Sequence, residues 1–211
     1  ARLSAMLDWR RTEILGNGLL LTFETALAGD VFTAQQDADG TLNDTEARLT
    51  PYGAIELRYP LQRTDANGVQ HLIEPTMQVA WSDTYGDPVP VEDSAIVEFD
   101  EANLFALDRF PGSDRREDGQ RAALGIGYTR IDPLGWSAGI TTGIVLRADD
   151  LGQFTPGSGL DGATSVLVHY GLGDPTKWSI GARARVKLAA NRSGSILDIE
   201  GGRQPMASDD G

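Results

Sequence analysis

WSIGARARVKL, residues 178–188, alternates without a break. Trp178, Ile180, Ala182, Ala184, Val186 and Leu188 take every second position, and Ser179, Gly181, Arg183, Arg185 and Lys187 stand between them. Successive side chains of a strand point to opposite faces, so this period of two makes one apolar and one polar face. GWSAGITTGIVLR (135–147) repeats the pattern, setting Trp136, Ala138, Ile140, Thr142, Ile144 and Leu146 against Ser137, Gly139, Thr141, Gly143 and Arg147. Leu19, Leu21, Phe23, Thr25 and Leu27 oppose Thr22, Glu24 and Ala26 in the same way, and Ala122, Leu124, Ile126 and Tyr128 oppose Arg121, Ala123, Gly125 and Gly127. Weaker copies run from Leu3 to Ile14, Tyr52 to Leu61, Leu72 to Trp81 and Thr164 to Tyr170.

The connections carry further information. GNG (16–18), DANG (65–68), DPLG (132–135) and GDPTK (173–177) offer Gly, Asn, Asp or Pro where a tight hairpin needs a positive or preset φ. Between them lie long polar connections near 30–48, 84–118 and 149–162. Short and long connections alternate, as in an up-and-down outer-membrane barrel with tight turns at one end and long loops at the other. The segments are longer than the five or six residues common in soluble strands and match the roughly 9 to 11 that a tilted strand needs to cross a bilayer. Trp136 and Trp178 follow short turns and Trp81 precedes a long loop, so aromatic rings are expected at both boundaries. A soluble sandwich or lipocalin-like barrel would instead turn its apolar faces inward.

Composition narrows the function classes. The 211 residues carry a formal charge of −13, which opposes a nucleic-acid surface. No cysteine is present, so disulfides, thiolate nucleophiles and Cys-ligated metals are excluded within these residues, and two histidines far apart make a His-rich metal site improbable. No apolar run is long enough for a transmembrane helix. ARLSAMLDWRR lacks the basic and apolar regions of a signal peptide and already alternates like a strand, as it would inside a larger protein.

One connection is unusual. EFDEANLFALDRFPGSDRREDGQR (98–121) mixes dense charge with Phe99, Leu104, Phe105, Leu107 and Phe110. Phe99, Ala102, Ala106 and Phe110 stand at near-helical spacing before Pro111-Gly112, so a short helix is expected there. The Asp and Arg residues at 108, 109, 114, 115, 116 and 118 are expected to form an ion-pair network. Apolar rings on such a loop need a cover, and the loop is expected to fold back over or into the barrel lumen, with its aromatics buried and its charges tied to the polar wall.

Residues 71–121 resemble a known family. His71, Glu74-Pro75, Asp93-Ser94, Phe99-Asp100, Asn103-Leu104-Phe105, Arg109-Phe110, Gly112, Asp114-Arg115, Asp118 and Arg121, in that succession, resemble the middle of the barrel of the LPS-assembly outer-membrane protein LptD family, also called organic solvent tolerance protein or OstA. Arg116 departs from the pattern, standing where an apolar residue is expected. The flanks match in strand pattern only. The resemblance implies part of the C-terminal barrel of a larger chain that takes lipopolysaccharide from periplasmic bridge proteins. It further implies an LptE-like plug lipoprotein, release into the outer leaflet through a lateral opening, and a place among outer-membrane lipids.

Gln35, Asp37, Asp39, Gly40, Thr41, Asn43 and Glu46 fit the spacing of an EF-hand loop, but Gln holds the first position and strands flank it, so a solvated loop is favoured over calcium. His71 and His169 lack a spacing that fixes a catalytic set, and the loop carboxylates are ordinary for a solvated charge-dense segment. Arg183, Arg185 and Lys187 are expected to face the lumen, against lipopolysaccharide phosphates or against carboxylates such as Glu24, Glu56 and Glu74.

The expectation is therefore an all-β antiparallel meander of about eight or nine strands. Residues 1–200 are expected to form one segment of a transmembrane barrel in the outer membrane and 201–211 an unstructured tail. The resemblance implies a part in lipopolysaccharide transport, and no cofactor, metal, nucleic acid or enzymatic activity is expected. Another outer-membrane barrel, porin or adhesin-like, and a soluble ligand-binding β-protein are the alternatives.

Overall fold

The computed structural model describes residues 2–33, 45–86, 97, 99–155, 158, 160, 164–174, 178–187 and 200–204, with side chains from 164 onward outside the description. Among the described residues eleven strands follow one another: Arg2–Ile14 (β1), Leu20–Phe32 (β2), Glu46–Arg58 (β3), Leu61–Thr64 (β4), Gln70–Ser82 (β5), Tyr85–Gly86 (β6), Gly119–Ile131 (β7), Ser137–Arg147 (β8), Thr164–Asp174 (β9), Trp178–Lys187 (β10) and Glu200–Gln204 (β11). All join one antiparallel sheet in the order β1-β2-β3-β5-β7-β8-β9-β10-β11, with β4 on β5 and β6 on β3. Among the described residues β1 and β11 are its two edges, and no pairing closes it.

Prolines explain the two short pieces. Arg58 pairs with Thr76 and Leu61 with Ile73 in one continuous register. Between them Tyr59 N donates to Pro75 O at 3.0 Å, but neither Pro60 nor Pro75 has an N–H to return. Pro51, which accepts from Asp83 N at 3.4 Å, likewise separates β6 from β5. β3 with β4, and β5 with β6, are thus single long strands, which leaves eight long strands and the short β11.

The tight turns share one geometry. In each, the first residue donates to the fifth and the fourth to the first: Leu15 to Leu19 and Gly18 to Leu15, Asp65 to Val69 and Gly68 to Asp65, Asp132 to Trp136 and Gly135 to Asp132. The fourth residue has φ of 85°, 80° and 95°, the left-handed conformation in which glycine carries no steric penalty.

The two faces of the sheet are inverted relative to a water-soluble protein. Thr22, Asp30, Arg48, Thr50, Gln78, Ser82, Arg121 and Arg147 are buried on one face, Asp30 to 2% and Arg121 to 4% exposure. Leu7, Trp9, Phe23, Leu27, Ile55, Val79, Trp81, Leu124, Ile126, Ile140 and Leu146 are exposed on the other, Leu7 at 74% and Trp9 at 52%. What covers the polar face is the connection over residues 99–118 together with Val97, Phe154 and Leu160. Val97, Phe99, Leu104, Phe110, Phe154 and Leu160 pack there on Ala123 and Val145, with Phe105 at the margin. Leu107 packs on a second cluster of Ala26, Ala28 and Tyr52.

One expectation needs revising. The expected helix does not form: residues 101–105 make turns within an otherwise irregular stretch over 99–110, with Asn103 N donating to Asp100 O and Ala106 N to Asn103 O. Asp100 Oδ1 accepts from the N–H groups of Ala102 and Asn103, and Asn103 Oδ1 accepts from Asp100 N. Side chains that satisfy the backbone locally compete with helical bonding. Val145 interrupts the polar face of β8, fully buried, because the loop supplies it with an apolar cover. Within the expected tail, Gly201–Gln204 belong to β11, where Glu200 pairs with Arg183. Residues 205–211, and the candidate calcium loop except Glu46, lie outside the described residues.

Candidate functional site

The polar face and its loop form the candidate site, and charge holds them together. Arg121 and Arg147 are direct cross-strand partners at the long-loop ends of β7 and β8. Like charges so placed repel. Glu117, fully buried, stands between them: Arg147 Nη2 lies 3.1 Å and Arg121 Nε 3.8 Å from its Oε1, while Arg109 Nη1 from the same loop donates to Oε2 at 2.7 Å. The arginines also grip loop carbonyls, Arg109 at Leu104 O (2.7 Å) and Arg121 at Leu107 O. Ser82 Oγ donates to Glu117 O and accepts from Arg121. Burial raises the Glu117 carboxyl, but the guanidiniums of Arg109, Arg121 and Arg147 outweigh it and hold the group below the usual carboxylate range.

A second clamp lies on β2 and β3. Arg48 donates to Asp30 at 2.8 Å and to the carbonyls of Ser113 and Asp114 at 2.6 Å each. Arg2 on β1 contacts both Asp30 and Asp114. Arg116 bridges Asp30 (3.7 Å) and Asp108 (3.6 Å). Asp108 accepts from Phe110 N, Glu117 N and Tyr52 Oη. Burial nevertheless raises its carboxyl above the usual range, with Glu117 adding to the rise.

These opposite shifts predict a pH optimum for loop docking. Asp108, raised in the folded state, makes docking stronger as pH falls through its raised value toward 3.8. Glu117, lowered in the folded state, contributes fully above 4.5 and loses that contribution as pH falls further. Hydrogen exchange of the 99–118 amides, corrected for intrinsic rates, should therefore show greatest protection in mildly acidic solution. Asp108→Asn should remove the gain on the neutral side; unchanged protection from neutral to mildly acidic pH in the parent chain would oppose this account.

Beside the clamps the polar face leaves a cavity of about 700 Å³. Arg10, Arg58 and Arg116, Glu24, Glu56 and Glu74, Thr76 and Thr141 line it. Arg10 lies 3.9 Å from Glu56 and Arg58 3.8 Å from Glu74. Such a wall of alternating donors and acceptors suits sugar hydroxyls and charged headgroups. Among the described residues no cluster of His, Asp and Glu has the geometry of a metal site.

The motif residues are distributed as follows. Asp100, Asn103, Leu104, Phe105, Arg109, Gly112, Asp114 and Arg115 lie on the covering loop, Arg115 over the Phe110 ring at 5.0 Å, while Glu74 and Pro75 lie on β5. Asp93 and Ser94 lie outside the described residues. The backbone register sets Arg183, Arg185 and Lys187 opposite His169, Leu167 and Ser165; their side chains fall outside the description. His71 is not on the polar face: its Nδ1 meets Tyr128 Oη at 2.9 Å.

Sequence reasoning passed over Glu117, Arg48 and the paired glycines Gly125 and Gly143, which receive Leu104 and Phe105. The signal for Arg48 and Arg147 was available, because each sits on the polar face where a strand enters a long loop. A family model described as LptD, LPS transport system D, matches residues 1–188 of the chain. No curated protein matches it.

Proposed function

The chain belongs to the LptD family, LPS transport system D, and from that membership we propose that its sheet is a stretch of an outer-membrane β-barrel whose polar face lines the passage taken by lipopolysaccharide. The inversion of the two faces carries this reading. Soluble monomers rarely expose an apolar surface running across many strands, whereas a lipid-facing barrel wall requires it. Length agrees as well. A strand of 13 residues, such as β2 or β7, rises about 44 Å, and tilted by about 45° it crosses about 30 Å, the thickness of the hydrocarbon layer.

On this reading the sugars and phosphates of lipopolysaccharide move along the cavity wall of Arg10, Arg58, Thr76 and Thr141, and the acyl tails leave sideways between strands. The covering loop, pinned by two arginine clamps, sets how much of the passage is open. An LptE-like lipoprotein plug and periplasmic bridge proteins are its partners, and the outer membrane its location.

A photo-crosslinking residue placed at Thr141, on the polar face, should yield a lipopolysaccharide adduct in cells, while one at Ile140, on the exposed apolar face, should react mainly with lipid and detergent. Absence of any lipopolysaccharide adduct at Thr141 and Thr76, together with a monodisperse soluble monomer in the absence of detergent, would overturn the proposal.

A further inference from the structure

At the short-turn end of the apolar face lies a groove of about 540 Å³ whose floor and walls include Leu61, Arg63, His71, Ile73 and Tyr128. The register explains the gathering. Leu61 pairs with Ile73 and Arg63 with His71 across β4 and β5, and His71 pairs with Arg130 across β5 and β7. Arg63, His71 and Arg130 therefore form one row on one face, just past the apolar band that ends in Leu61 and Ile73.

The row is not uniform. Arg130 is held by Asp132 at 2.9 Å and lies over the Trp136 ring at 4.6 Å. His71 is stacked on Tyr128, hydrogen-bonded to its hydroxyl, and 3.8 Å from Asp65. Arg63 is exposed and makes no ion pair among the described residues. An unpaired guanidinium at the rim of an apolar groove is complementary to a phosphodiester whose acyl chains run along the apolar floor, since guanidinium binds phosphate by paired, charge-assisted hydrogen bonds. Basic groups at headgroup depth on a membrane protein recognise lipid phosphates in this manner.

We propose that this groove is a phospholipid site, with Arg63 on the headgroup phosphate, His71 and Tyr128 as a rigid polar wall, and Leu61 and Ile73 against the first methylenes of an acyl chain. The site belongs to the leaflet on the short-turn side. It rests on the membrane reading above, and it anchors the depth of the barrel at that boundary.

The test uses the whole chain in detergent micelles, followed by native mass spectrometry during titration with dioctanoyl phosphatidylglycerol, dioctanoylglycerol or inorganic phosphate. The phosphatidylglycerol should bind more tightly than either part alone. Arg63→Gln should weaken it about tenfold, the loss of one charged hydrogen-bonded contact, and leave dioctanoylglycerol unchanged. Equal phosphatidylglycerol affinity in the parent chain and the variant overturns the proposal, as does inorganic phosphate binding as tightly as the lipid. Quenching of tryptophan emission by brominated lipids separates the two levels. If both proteins insert into vesicles yet bind phosphatidylglycerol equally, the site falls and the membrane reading stands; if the parent chain does not insert, the membrane reading itself falls.

Discussion

Replacing Glu117 by Gln is expected to release the 99–118 loop from the sheet and to lower stability by about 3 to 5 kcal/mol, the range for removing one partner from a buried ion pair. Three guanidiniums converge on this one carboxylate, and two of them, Arg121 and Arg147, face each other directly across β7 and β8. Gln keeps the shape, loses the charge, and presents an amide donor to groups that can only donate. The remaining cations then repel at short range in a place that water does not reach. Arg147→Gln should cost less, because it removes one of two excess positive charges while leaving Arg109 bonded to Glu117. The double variant Glu117→Gln/Arg147→Gln should be more stable than the sum of the two single losses, by an interaction term on the order of 1 to 3 kcal/mol. Urea midpoints in a fixed detergent, followed by tryptophan emission, measure all three. A Glu117→Gln midpoint within about 0.5 kcal/mol of the parent, the size of an ordinary surface substitution, would show that the cluster does not fasten the loop.

Most of the sheet was legible in the sequence because period two is a local signal. The tight turns were legible for the same reason: φ of 85° at Gly18 and 95° at Gly135 is a left-handed conformation that favours glycine. The covering role of the loop could be inferred from Phe99 and Phe110, whose rings had to be buried somewhere. The helix expected at 98–110 failed because spacing counted the apolar residues and ignored Asp100 and Asn103, whose side chains cap turns instead. Glu117 was not legible. Within SDRREDGQR nothing local distinguishes it from Asp114 or Asp118, and only the three-dimensional meeting of β7, β8 and the loop makes it the buried one. Asp118, the next residue, instead accepts from the Thr84 hydroxyl at 2.7 Å. The Gly125–Gly143 pair stood between these cases. Once the hairpin closes at Asp132 and Trp136, the register places those glycines opposite each other, so the notch was there to be counted.

That notch leads to the second large effect. A Cβ on Gly143 would lie 2.3 Å from Cδ2 of Leu104 and 3.0 Å from the carbonyl oxygen of Leu124, and one on Gly125 would lie 2.8 Å from the Phe105 ring. Leu104 is fully buried and Arg109 bonds its carbonyl, so it has nowhere to retreat. Gly143→Ala should therefore destabilise the chain by about 1 to 3 kcal/mol, the cost of overpacking, and Gly143→Val by more. The sign should reverse when the obstacle is removed. Leu104→Ala alone should cost about 2 to 5 kcal/mol through the cavity it leaves. In that background Gly143→Ala should be neutral or stabilising by about 0.5 kcal/mol, since Ala suits a strand backbone better than Gly and loses less entropy on folding. The same urea series reads the four proteins of this cycle, and hydrogen exchange at 99–118 shows whether the loss lies in the loop. If Gly143→Ala destabilises equally with and without the Leu104 side chain, the glycine serves strand curvature and not the seat of the loop. A reversal of sign instead makes the paired glycines the socket that decides where, along the polar wall, the loop comes to rest.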